Sequence, residues 1–424
     1  MQVTKNILET DFDSIPIDSF WKTGDEKENK MHRIHAYPAK FPAFITSKAL
    51  EYITDKGATI NVIADTFCGC GTTAFEASRN GIDFWGCDIN PVATLIAEAK
   101  SKKYTNKKLN NYFSEILAYY SNLKISKSEI NSINERIKYW FTEGQIGNLL
   151  KLKLSINKTI PSNSKYYKFF LCAFSNILKP TSVWLTKSIK PQVDPIKKKI
   201  DVIHAFRDQF KMMKKANEEN QRNIESNVRI ENINFLKKKI NKPFADLIVT
   251  SPPYVTSYEY ADLHQLSTLW LDFTDDYKSF REGTIGSLYH NSDFNKDIKK
   301  LNKTGEKIVF QLYTVDQRKA KSAAKYFVDM QKSIRKTYDI LNINGYALFV
   351  IGNTEYKSVR IDNAKHLVES MITCGFSEIE VSKREISGKI LTPYRDKKGK
   401  FTTDKNSRKV YSEEFIVIGK KQNE

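Results

Sequence analysis

Residues 65–73 read DTFCGCGTT, and a short apolar run rich in Ile and Val precedes them at residues 59–65. An apolar run that ends in a glycine-containing loop predicts a β-strand leading into a tight turn. Thr72 or Thr73 then stands at the start of a predicted helix that runs to about Asn80, since threonine is a good helix cap. The stretch therefore predicts the strand, turn and helix that open an α/β unit.

A second apolar run, at residues 82–87, ends in Asp88 and completes a βαβ unit. Pro91 stands where the next helix begins, because its missing N–H costs nothing in the first turn. The alternation of strands and helices resumes after residue 225. Its further predicted elements are strands at 228–233, 246–250, 346–351, 377–383 and 414–419, an aromatic-rich helix at 258–273 and a longer helix at 320–341. The pattern predicts an α/β fold.

The chain has 424 residues and carries 68 Lys and Arg against 49 Asp and Glu, a formal net charge of +19. Because a basic surface concentrates polyanions, we expect nucleic acid or an anionic membrane surface as a partner. The apolar runs are far shorter than the roughly 20 residues of a membrane-spanning helix, and the first residues lack the pattern of a signal peptide. Five mostly isolated cysteines do not make a disulfide framework, so we expect a protein of a reducing cytoplasm.

The positive charge is concentrated in residues 104–225, where the strand–helix alternation stops. This span holds 22 basic and 10 acidic residues, a net charge of +12, in less than a third of the chain. Its pattern is that of helices and loops with aromatic clusters. Concentrated charge favours a module that faces nucleic acid, and a solvated basic helical insertion is the alternative.

The glycine loop fits the pattern of a nucleotide site. Residues 69–74 read GCGTTA and match G-x-G-x-x-A, with Asp88 nineteen residues after Gly69. A carboxylate at that place can accept hydrogen bonds from both hydroxyls of a ribose. Sites for NAD, FAD and S-adenosylmethionine share this pattern, and a tight turn without a ligand is a further alternative.

A second motif, TSPPY at residues 250–254, follows the predicted strand at 246–250. Two prolines cannot continue a central strand, so the strand ends there. Ligands bind outside the carboxyl ends of the strands in an open parallel sheet, and both motifs fall at such ends. A plain Pro-Pro turn is the alternative, but the polar Ser, the rigid prolines and the aromatic residue together favour a site.

The two motifs together resemble those of the DNA amino-methyltransferases, which methylate an exocyclic amine using S-adenosylmethionine. The SPPY form is similar to that of cytosine-N4 enzymes more than to that of adenine-N6 enzymes, whose first residue is usually Asp. Residues 35–42, HAYPAKFP, are similar to the N-terminal motif of the family, which folds over the methionine part of the cofactor. The resemblance covers about residues 33–90 and from about residue 228 onward, and it leaves out the basic insertion.

The resemblance implies a Rossmann-like sheet of seven strands, as in S-adenosylmethionine-dependent methyltransferases, with a basic, mainly helical insertion. It divides the chain into three parts. Residues 1–103 hold the N-terminal motif and the cofactor-binding half, residues 104–225 are the candidate target-recognition module, and residues 226–424 hold the catalytic half. The basic loop at residues 395–409 is a candidate for phosphate contacts, with a solvated hairpin as the alternative.

The resemblance also implies roles for single residues. Ser251 Oγ and the carbonyl of Pro252 would accept the two N–H bonds of the target amine, Pro253 would stiffen the loop, and Tyr254 would stack on a flipped base. Tyr258 and Tyr260 are candidates for the pocket wall, with core packing as the alternative. The implied cofactor-binding residues are Lys40, Phe41, Asp65, Phe67, Gly69, Gly71, Thr72, Thr73, Asp88 and Asn232. Asn232 departs from the family pattern, which often has Asp near the adenine.

Cysteine chemistry is not expected at this site. The chain has no Pro-Cys dipeptide, which argues against methylation at cytosine C5. Cys68, Cys70 and Cys87 have no His at ligand spacing nearby, so no metal is expected.

The sequence thus predicts a site-specific methyltransferase that acts on double-stranded DNA with base flipping, at cytosine N4, with a cognate restriction endonuclease as a possible partner. The alternatives are adenine-N6 methylation, RNA methylation, a DNA-binding regulator that keeps a defunct methyltransferase fold, and an NAD enzyme.

Overall fold

Strands and helices alternate along most of the computed structural model, which describes residues 7–23, 27–220, 226–255, 259–287, 289–290, 292–386, 394–395, 402–409 and 412–423. The strands are β1 (Val62–Asp65), β2 (Asp83–Asp88), β3 (Val228–Asn232), β4 (Ala245–Thr250), β5 (Leu341–Ile351), β6 (Thr354–Tyr356), β7 (Val359–Ile361), β8 (Phe376–Glu385), β9 (Tyr394–Arg395), β10 (Arg408–Lys409) and β11 (Glu413–Lys421).

The helices fall into three groups along the chain. Those of the first α/β unit are α1 (Ala43–Asp55), α2 (Thr72–Arg79) and α3 (Pro91–Ser101). Those of the insertion are α4 (Asn106–Asn122), α5 (Lys127–Asn131), α6 (Glu135–Trp140), α7 (Glu143–Thr159), α8 (Lys165–Thr181) and α9 (Val202–Glu219). Those of the second half are α10 (Tyr260–Leu263), α11 (Gln265–Trp270), α12 (Phe294–Ile298), α13 (Lys303–Val315), α14 (Gln317–Ile340) and α15 (Asn363–Cys374). Within the described ranges, no helix combines the length and the apolar character needed to cross a membrane.

The central sheet has seven strands in the order β3-β2-β1-β4-β5-β11-β8. Strands β3, β2, β1, β4 and β5 are mutually parallel, whereas β11 is antiparallel to both of its neighbours. The order reverses beside β1, which is the place where open α/β sheets bind their ligands. The predicted Rossmann-like α/β fold with seven strands is confirmed.

Alternate residues of the central strands pack on opposite faces of the sheet. Ile63 and Leu247 belong to the apolar core that α1 and α2 cover, whereas Ala64 and Ile248 belong to the core that α14 and α15 cover. All four side chains are fully buried. Burial on both faces explains why these strands are continuous apolar runs in the sequence.

The insertion packs around an apolar core that it shares with neighbouring parts of the chain. Helices α4, α7, α8 and α9 pack around buried aromatic residues, and this core continues into residues of α3 and α11. The aromatic side chains that lie in it with 5% exposure or less include Trp140, Phe141, Tyr166, Phe169 and Phe170. Most of the aromatic clusters in the insertion therefore stabilise its fold, and the charged residues form its surface.

The aromatic-rich helix predicted at 258–273 is two short helices, α10 and α11, which meet at His264. Tyr258 lies outside the described residues, as do parts of the predicted basic loop at 395–409. The sequence motifs did not predict α1, α13, α15 or the β6–β7 hairpin. These elements carry ordinary amphipathic patterns and no punctuating motif.

Gly71 is required by the turn between β1 and α2. Its φ is +73°, and a Cβ there would lie 2.5 Å from the Cβ of Ala97 on α3. We expect Gly71→Ala to lower the free energy of unfolding by about 2–4 kcal/mol, because left-handed strain adds to overpacking. Urea denaturation of both proteins measures the difference.

Gly144 provides the matched control. It is exposed within α7, and a Cβ there would meet nothing within 4 Å. Gly144→Ala should raise the free energy of unfolding by roughly 0.5–1 kcal/mol, since alanine is the better helix former. Equal effects of the two substitutions would contradict the packing that we describe at Gly71.

Candidate functional site

The carboxyl ends of β1 and β4 are joined by a buried hydrogen bond. Thr250 Oγ1, at the end of β4, donates to Asp65 Oδ1, at the end of β1, over 2.6 Å. The same oxygen of Asp65 accepts the backbone N–H of Phe67 over 3.1 Å. Both side chains are at most 4% exposed. The start of the glycine loop and the start of the SPPY motif, at Ser251, are thereby held side by side.

Asp88 holds the other side of the glycine loop. Its Oδ2 accepts the N–H of Gly69 over 2.9 Å, and its Oδ1 accepts the N–H of Asn90 over 2.8 Å. Asn232, at the end of β3, donates from Nδ2 to the carbonyls of Asp88 and Ile89, both over 3.0 Å. The carboxylate is thus oriented by backbone donors, and Asn232 ties the end of β3 to the end of β2.

A residue that was not among the predicted site residues covers the glycine loop. The ring of Tyr37 lies 3.7 Å from the position that a Cβ on Gly69 would take, and it stacks on His264 with 5.1 Å between ring centroids. Burial raises the pKa of Tyr37 well above its usual range, and the nearby Asp88 adds to this effect. Tyr37 belongs to the HAYPAKFP stretch, so the motif indicated this position without singling it out.

The predicted cofactor residues of the same stretch lie further out. Lys40 Nζ donates to Glu28 over 2.8 Å and to the carbonyl of His32 over 3.1 Å. Phe41 is half-buried and packs on the apolar core beneath α1. These contacts hold the N-terminal segment in place beside the loop.

The remaining predicted cofactor residues line the start of α2. Thr72 and Thr73 are buried, and among the described residues Thr72 Oγ1 has no hydrogen-bond partner. Thr73 lies next to the carboxylate of Asp65 and lowers its pKa. Phe67 is half-buried and meets Phe235 edge-on, with 6.4 Å between centroids. The site therefore combines a buried unpaired hydroxyl, backbone turns and two carboxylates.

Burial dominates the titration of the two carboxylates. It raises the pKa of Asp65 to about 6, against the opposing hydrogen bonds from Thr250 and Phe67. It raises the pKa of Asp88 to about 6 as well, against the N–H groups of Asn90 and Gly69. Two carboxyl groups that are unfavourable to ionise thus lie at one edge of the sheet, and such groups are typical of functional sites.

The SPPY loop is held by hydrogen bonds from several elements. Ser251 Oγ donates to the carbonyl of Val350 on β5 over 3.0 Å. The carbonyl of Pro253 accepts the hydroxyl of the buried Tyr326 on α14 over 2.9 Å. Because the hydroxyl proton of Ser251 is engaged, its oxygen lone pairs serve as acceptors.

Tyr254 is fixed at both ends of its ring. Its hydroxyl donates to Glu414 Oε1 on β11 over 3.1 Å, and Glu414 Oε2 accepts two N–H groups of the buried Arg384 on β8. A Cβ on Gly352 would lie only 3.0 Å from Tyr254 Cε2, so the ring packs directly on this glycine at the end of β5. Burial and then Glu414 raise the pKa of Tyr254 well above its usual range.

The residues that support Tyr254 and the rest of the SPPY loop could not be identified from the sequence. Glu414 and Arg384 are paired across β11 and β8, which is a property of strand register. Tyr326 lies within a long amphipathic helix and reaches the loop only through tertiary packing. No short-range pattern relates these residues to the SPPY motif.

The cysteines show no sign of ligation. All five have buried side chains with free thiols, and burial raises the pKa values of Cys68 and Cys87. In the part of the chain that the structure describes, no group of three His, Cys, Asp or Glu side chains is arranged to hold a metal ion.

Comparison with known proteins finds a matching family model and similar sequences. Residues 3–99 match a family model described as DNA methylase, of the N6/N4 class. The chain is 28% identical to the Type II methyltransferase M.MvaI of Kocuria varians, over 78% of each chain. It is 34% identical to the Type II methyltransferase M.MjaII of Methanocaldococcus jannaschii, over 22% of this chain and 17% of that protein. The predicted resemblance is confirmed at the level of a DNA methyltransferase of the N6/N4 class.

Among solved structures, an S-adenosylmethionine-dependent methyltransferase of Methanosarcina mazei aligns with 92% of this chain and all of its own. The sequence identity is 10% and the TM-score is 0.30. The order and direction of the strands by themselves identify the Rossmann-like sheet.

The raised pKa of Asp65 predicts a pH-dependent stability. A carboxyl whose pKa is about 6 in the folded chain and near 3.8 in the unfolded chain binds its proton more tightly when folded. The free energy of unfolding should therefore fall as the pH rises from about 4 to about 6. In Asp65→Asn, Oδ1 can still accept both hydrogen bonds while the charge is removed, so this part of the slope should disappear.

Urea denaturation of wild type and Asp65→Asn at pH 4.5 and 7.5, pH values chosen on either side of that pKa, measures the effect. At the higher pH the variant should be more stable by on the order of 1–3 kcal/mol. Asp88 remains, so a smaller slope persists in the variant. Parallel pH profiles for the two proteins would show that Asp65 does not titrate as described.

Proposed function

We propose that this DNA methyltransferase of the N6/N4 class transfers a methyl group from S-adenosylmethionine to N4 of a cytosine that is flipped out of double-stranded DNA, at a specific sequence. The observation that carries the proposal is the hydrogen bond from Ser251 Oγ to the carbonyl of Val350. Because this bond engages the hydroxyl proton, the neutral oxygen of Ser251 is an oriented acceptor at the edge of the sheet formed by the carboxyl ends of the strands. The serine, in place of the aspartate of adenine-N6 enzymes, supports cytosine.

The residues around the glycine loop fit the cofactor. Asp88 presents an oriented carboxylate that suits the ribose hydroxyls, and Asn232 lies next to it for the adenine end. Thr72 Oγ1 is a buried hydroxyl without a partner among the described residues, and the ring of Tyr37 forms a wall beside Gly69. Asp65, Phe67, Gly69, Gly71 and Thr73 shape the floor of the same pocket, which Lys40 and Phe41 border. When bound, S-adenosylmethionine supplies an electrophilic methyl group on sulfur.

The SPPY loop acts on the amine of the base. The amine of cytosine is conjugated to the ring and is a poor nucleophile. Ser251 Oγ and the carbonyl of Pro252 accept its two N–H bonds, which localises the lone pair on nitrogen and stabilises the positive charge that develops there. Pro252 and Pro253 hold the acceptors in place before the base arrives, and positioning of this kind supplies most of the rate.

Tyr254 receives the flipped base on its ring. Its ring packs on Gly352 and its hydroxyl donates to Glu414, so its plane is set without DNA. Flipping a base out of the stack costs a few kcal/mol, and an aromatic surface that is already in place lowers this cost. Tyr260 lies close enough to Tyr37 to raise its pKa, which supports a place in the wall of the pocket.

The three parts of the chain divide the work. Residues 1–103 and 226–424 form the catalytic body, and residues 104–225 recognise the target sequence. The net charge of +12 in the insertion supports this division. Such an enzyme would work in the cytoplasm, together with a cognate restriction endonuclease of the same sequence specificity.

The base is identified by mass spectrometry of nucleosides. DNA incubated with the protein and S-adenosylmethionine should contain N4-methylcytosine. Ser251→Ala should lower the rate of methylation on the order of 10²-fold, because one preoriented acceptor is lost, while DNA binding is retained. Tyr254→Phe keeps the ring and removes only the hydroxyl, with its contacts to Glu414 and Ser251, so it should lose far less activity than Tyr254→Ala.

The alternatives give different products. N6-methyladenine as the sole product would replace cytosine by adenine as the target. Methylation of tRNA but not of duplex DNA would overturn the DNA substrate. A wild type that binds DNA but transfers no methyl group to any nucleic acid would identify a regulator.

The insertion is tested through its lysines. Lys197 is unsuitable for a test of DNA binding, because its Nζ donates to the carbonyls of Lys179 and Trp184 over 2.8 and 2.7 Å. Burial and Lys179 lower the pKa of Lys197 to about 8, so this residue supports the fold. Lys198 and Lys199 are exposed. Replacing both by Ala should weaken DNA binding and reduce the slope of log affinity against log salt by up to about 2.

The matched control removes the same charge from the opposite edge of the sheet. Lys239 and Lys242 are exposed in the segment that leads into the start of β4. Their double replacement by Ala should leave the salt slope close to that of wild type. Fluorescence anisotropy with labelled duplex DNA measures all three proteins, and equal slopes would contradict a DNA-binding role for this part of the insertion.

A further inference from the structure

The segment that joins α8 to α9, residues 182–201, contains an isoleucine whose side chain is almost fully exposed to solvent. The side chain of Ile196 is 91% exposed, although isoleucine is among the residue types most often buried. Four exposed lysines share the segment: Lys187, Lys190, Lys198 and Lys199. Ile189, Val193 and Ile200 of the same segment are also exposed, at 36%, 38% and 39%, but Ile196 is the most exposed apolar side chain among these cations.

The direction of α8 places this segment relative to the site. Near its start, Lys168 forms an ion pair with Glu98, and Tyr166 Oη accepts the N–H of Thr105, just beyond the end of α3. The helix α3 begins at the carboxyl edge of the sheet, after Asp88, and runs away from it. The start of α8 therefore lies towards the amino edge.

The later turns of α8 reach the level of the glycine loop. Ser175 Oγ lies 2.9 Å from His35 Nε2, and Asn176 Oδ1 accepts the N–H of Ala36 over 2.9 Å. His35 and Ala36 directly precede Tyr37, whose ring covers Gly69. The helix then continues for five residues to Thr181, or about 7 Å further in the same direction.

The returning helix gives the same result. Gln209 on α9 donates to the carbonyl of Ile34 over 2.7 Å and accepts from Asn176, so it lies at the same level. The helix begins seven residues earlier, at Val202, which is about 10 Å beyond that level. Residues 182–201 therefore project past the carboxyl edge, on the side of the sheet where Asp88 and Ser251 lie.

The segment is held rigidly. Trp184 is 2% exposed and stacks on Trp140, with 4.9 Å between ring centroids. It also forms a β-bridge with Val193. Lys197 donates to the carbonyls of Lys179 and Trp184, as described above. A loop fixed in this way presents a defined shape to a partner.

Ile196 lies within a tight turn of this loop. The carbonyl of Asp194 accepts the N–H of Lys197 over 3.3 Å, and its carboxylate accepts the N–H of Ile196 over 3.3 Å. Pro195 stiffens the turn. The second acidic residue of the segment, Asp201, caps α9 by accepting the N–H of His204 over 2.8 Å. Both acids serve the backbone, and the lysines set the charge of the surface.

We propose that Ile196 is a positioning residue that inserts between base pairs of the DNA substrate and opens the stack for the flipped base, while Lys198 and Lys199 hold the flanking phosphates. The inference rests on the proposed function and adds a residue to it. Apolar side chains that unstack a base step, flanked by cations, are a known means of deforming duplex DNA. The exposed isoleucine, the rigid turn and the surrounding lysines supply these parts.

The test compares Ile196→Ser with wild type and with Ile196→Leu in single-turnover methylation. The substrate is a duplex with the sequence that wild type modifies, as found by sequencing that detects modified bases. Because Ile196 is exposed, Ile196→Ser should fold as wild type does. We expect it to methylate the matched duplex roughly tenfold more slowly, whereas Ile196→Leu, which keeps the apolar wedge, stays within about twofold of wild type.

A second substrate separates opening of the stack from other roles. A mismatch at the target base makes flipping cheaper, so Ile196→Ser should regain the rate of wild type on the mismatched duplex. The double variant of Lys198 and Lys199 should instead bind matched and mismatched duplexes more weakly alike. If Ile196→Ser equals wild type on the matched duplex, or is equally slow on both duplexes, the wedge is overturned while the proposed function stands. If that sequencing finds no modified base in DNA incubated with wild type, the proposed function and the wedge are both overturned.

Discussion

The hydrogen bond between Thr250 and Asp65 is the contact on which the site depends. It joins the strand that carries the SPPY motif to the strand that carries the glycine loop, at the edge of the sheet where both end. Because both side chains are buried, water does not compete for the bond. The distance between the proposed cofactor pocket and the proposed acceptors for the amine is thus set by the spacing of adjacent parallel strands. The loops themselves do not have to define it.

The same edge concentrates unfavourable features. Two carboxyls with pKa values raised to about 6, a left-handed glycine and a threonine hydroxyl that has no partner among the described residues lie within one loop and its neighbours. Each lowers the stability of the free protein, and each suits a polar ligand that carries ribose hydroxyls. Stability given up at a binding edge is a common trade for function. The fully apolar cores on both faces of the sheet compensate for it.

Features that depend on nearby residues could be predicted from the sequence. The βαβ unit, the helix start at Pro91 and the termination of β4 at the prolines all follow from local rules, and the structure has them. Features that depend on register or burial could not. Arg384 and Glu414 support Tyr254 only because β8 and β11 pair as they do, and Lys197 is a basic residue like its neighbours until its bonds to Lys179 and Trp184 are seen. The burial of most aromatic clusters of the insertion could not be predicted either, because composition does not distinguish a packed ring from an exposed one.

The position of β11 links catalysis to the order of synthesis. This strand is made after all the others of the sheet, yet it lies between β5 and β8, and it carries the glutamate that fixes Tyr254. A nascent chain can form the parallel body from β1 to β5 while its final strand is still within the ribosome. Until that strand enters the sheet, β8 lacks its partner strand and the hydroxyl of Tyr254 lacks its acceptor. The proposed base-receiving surface is therefore completed last, so an incomplete chain on the ribosome has the fold around the glycine loop before that surface is finished.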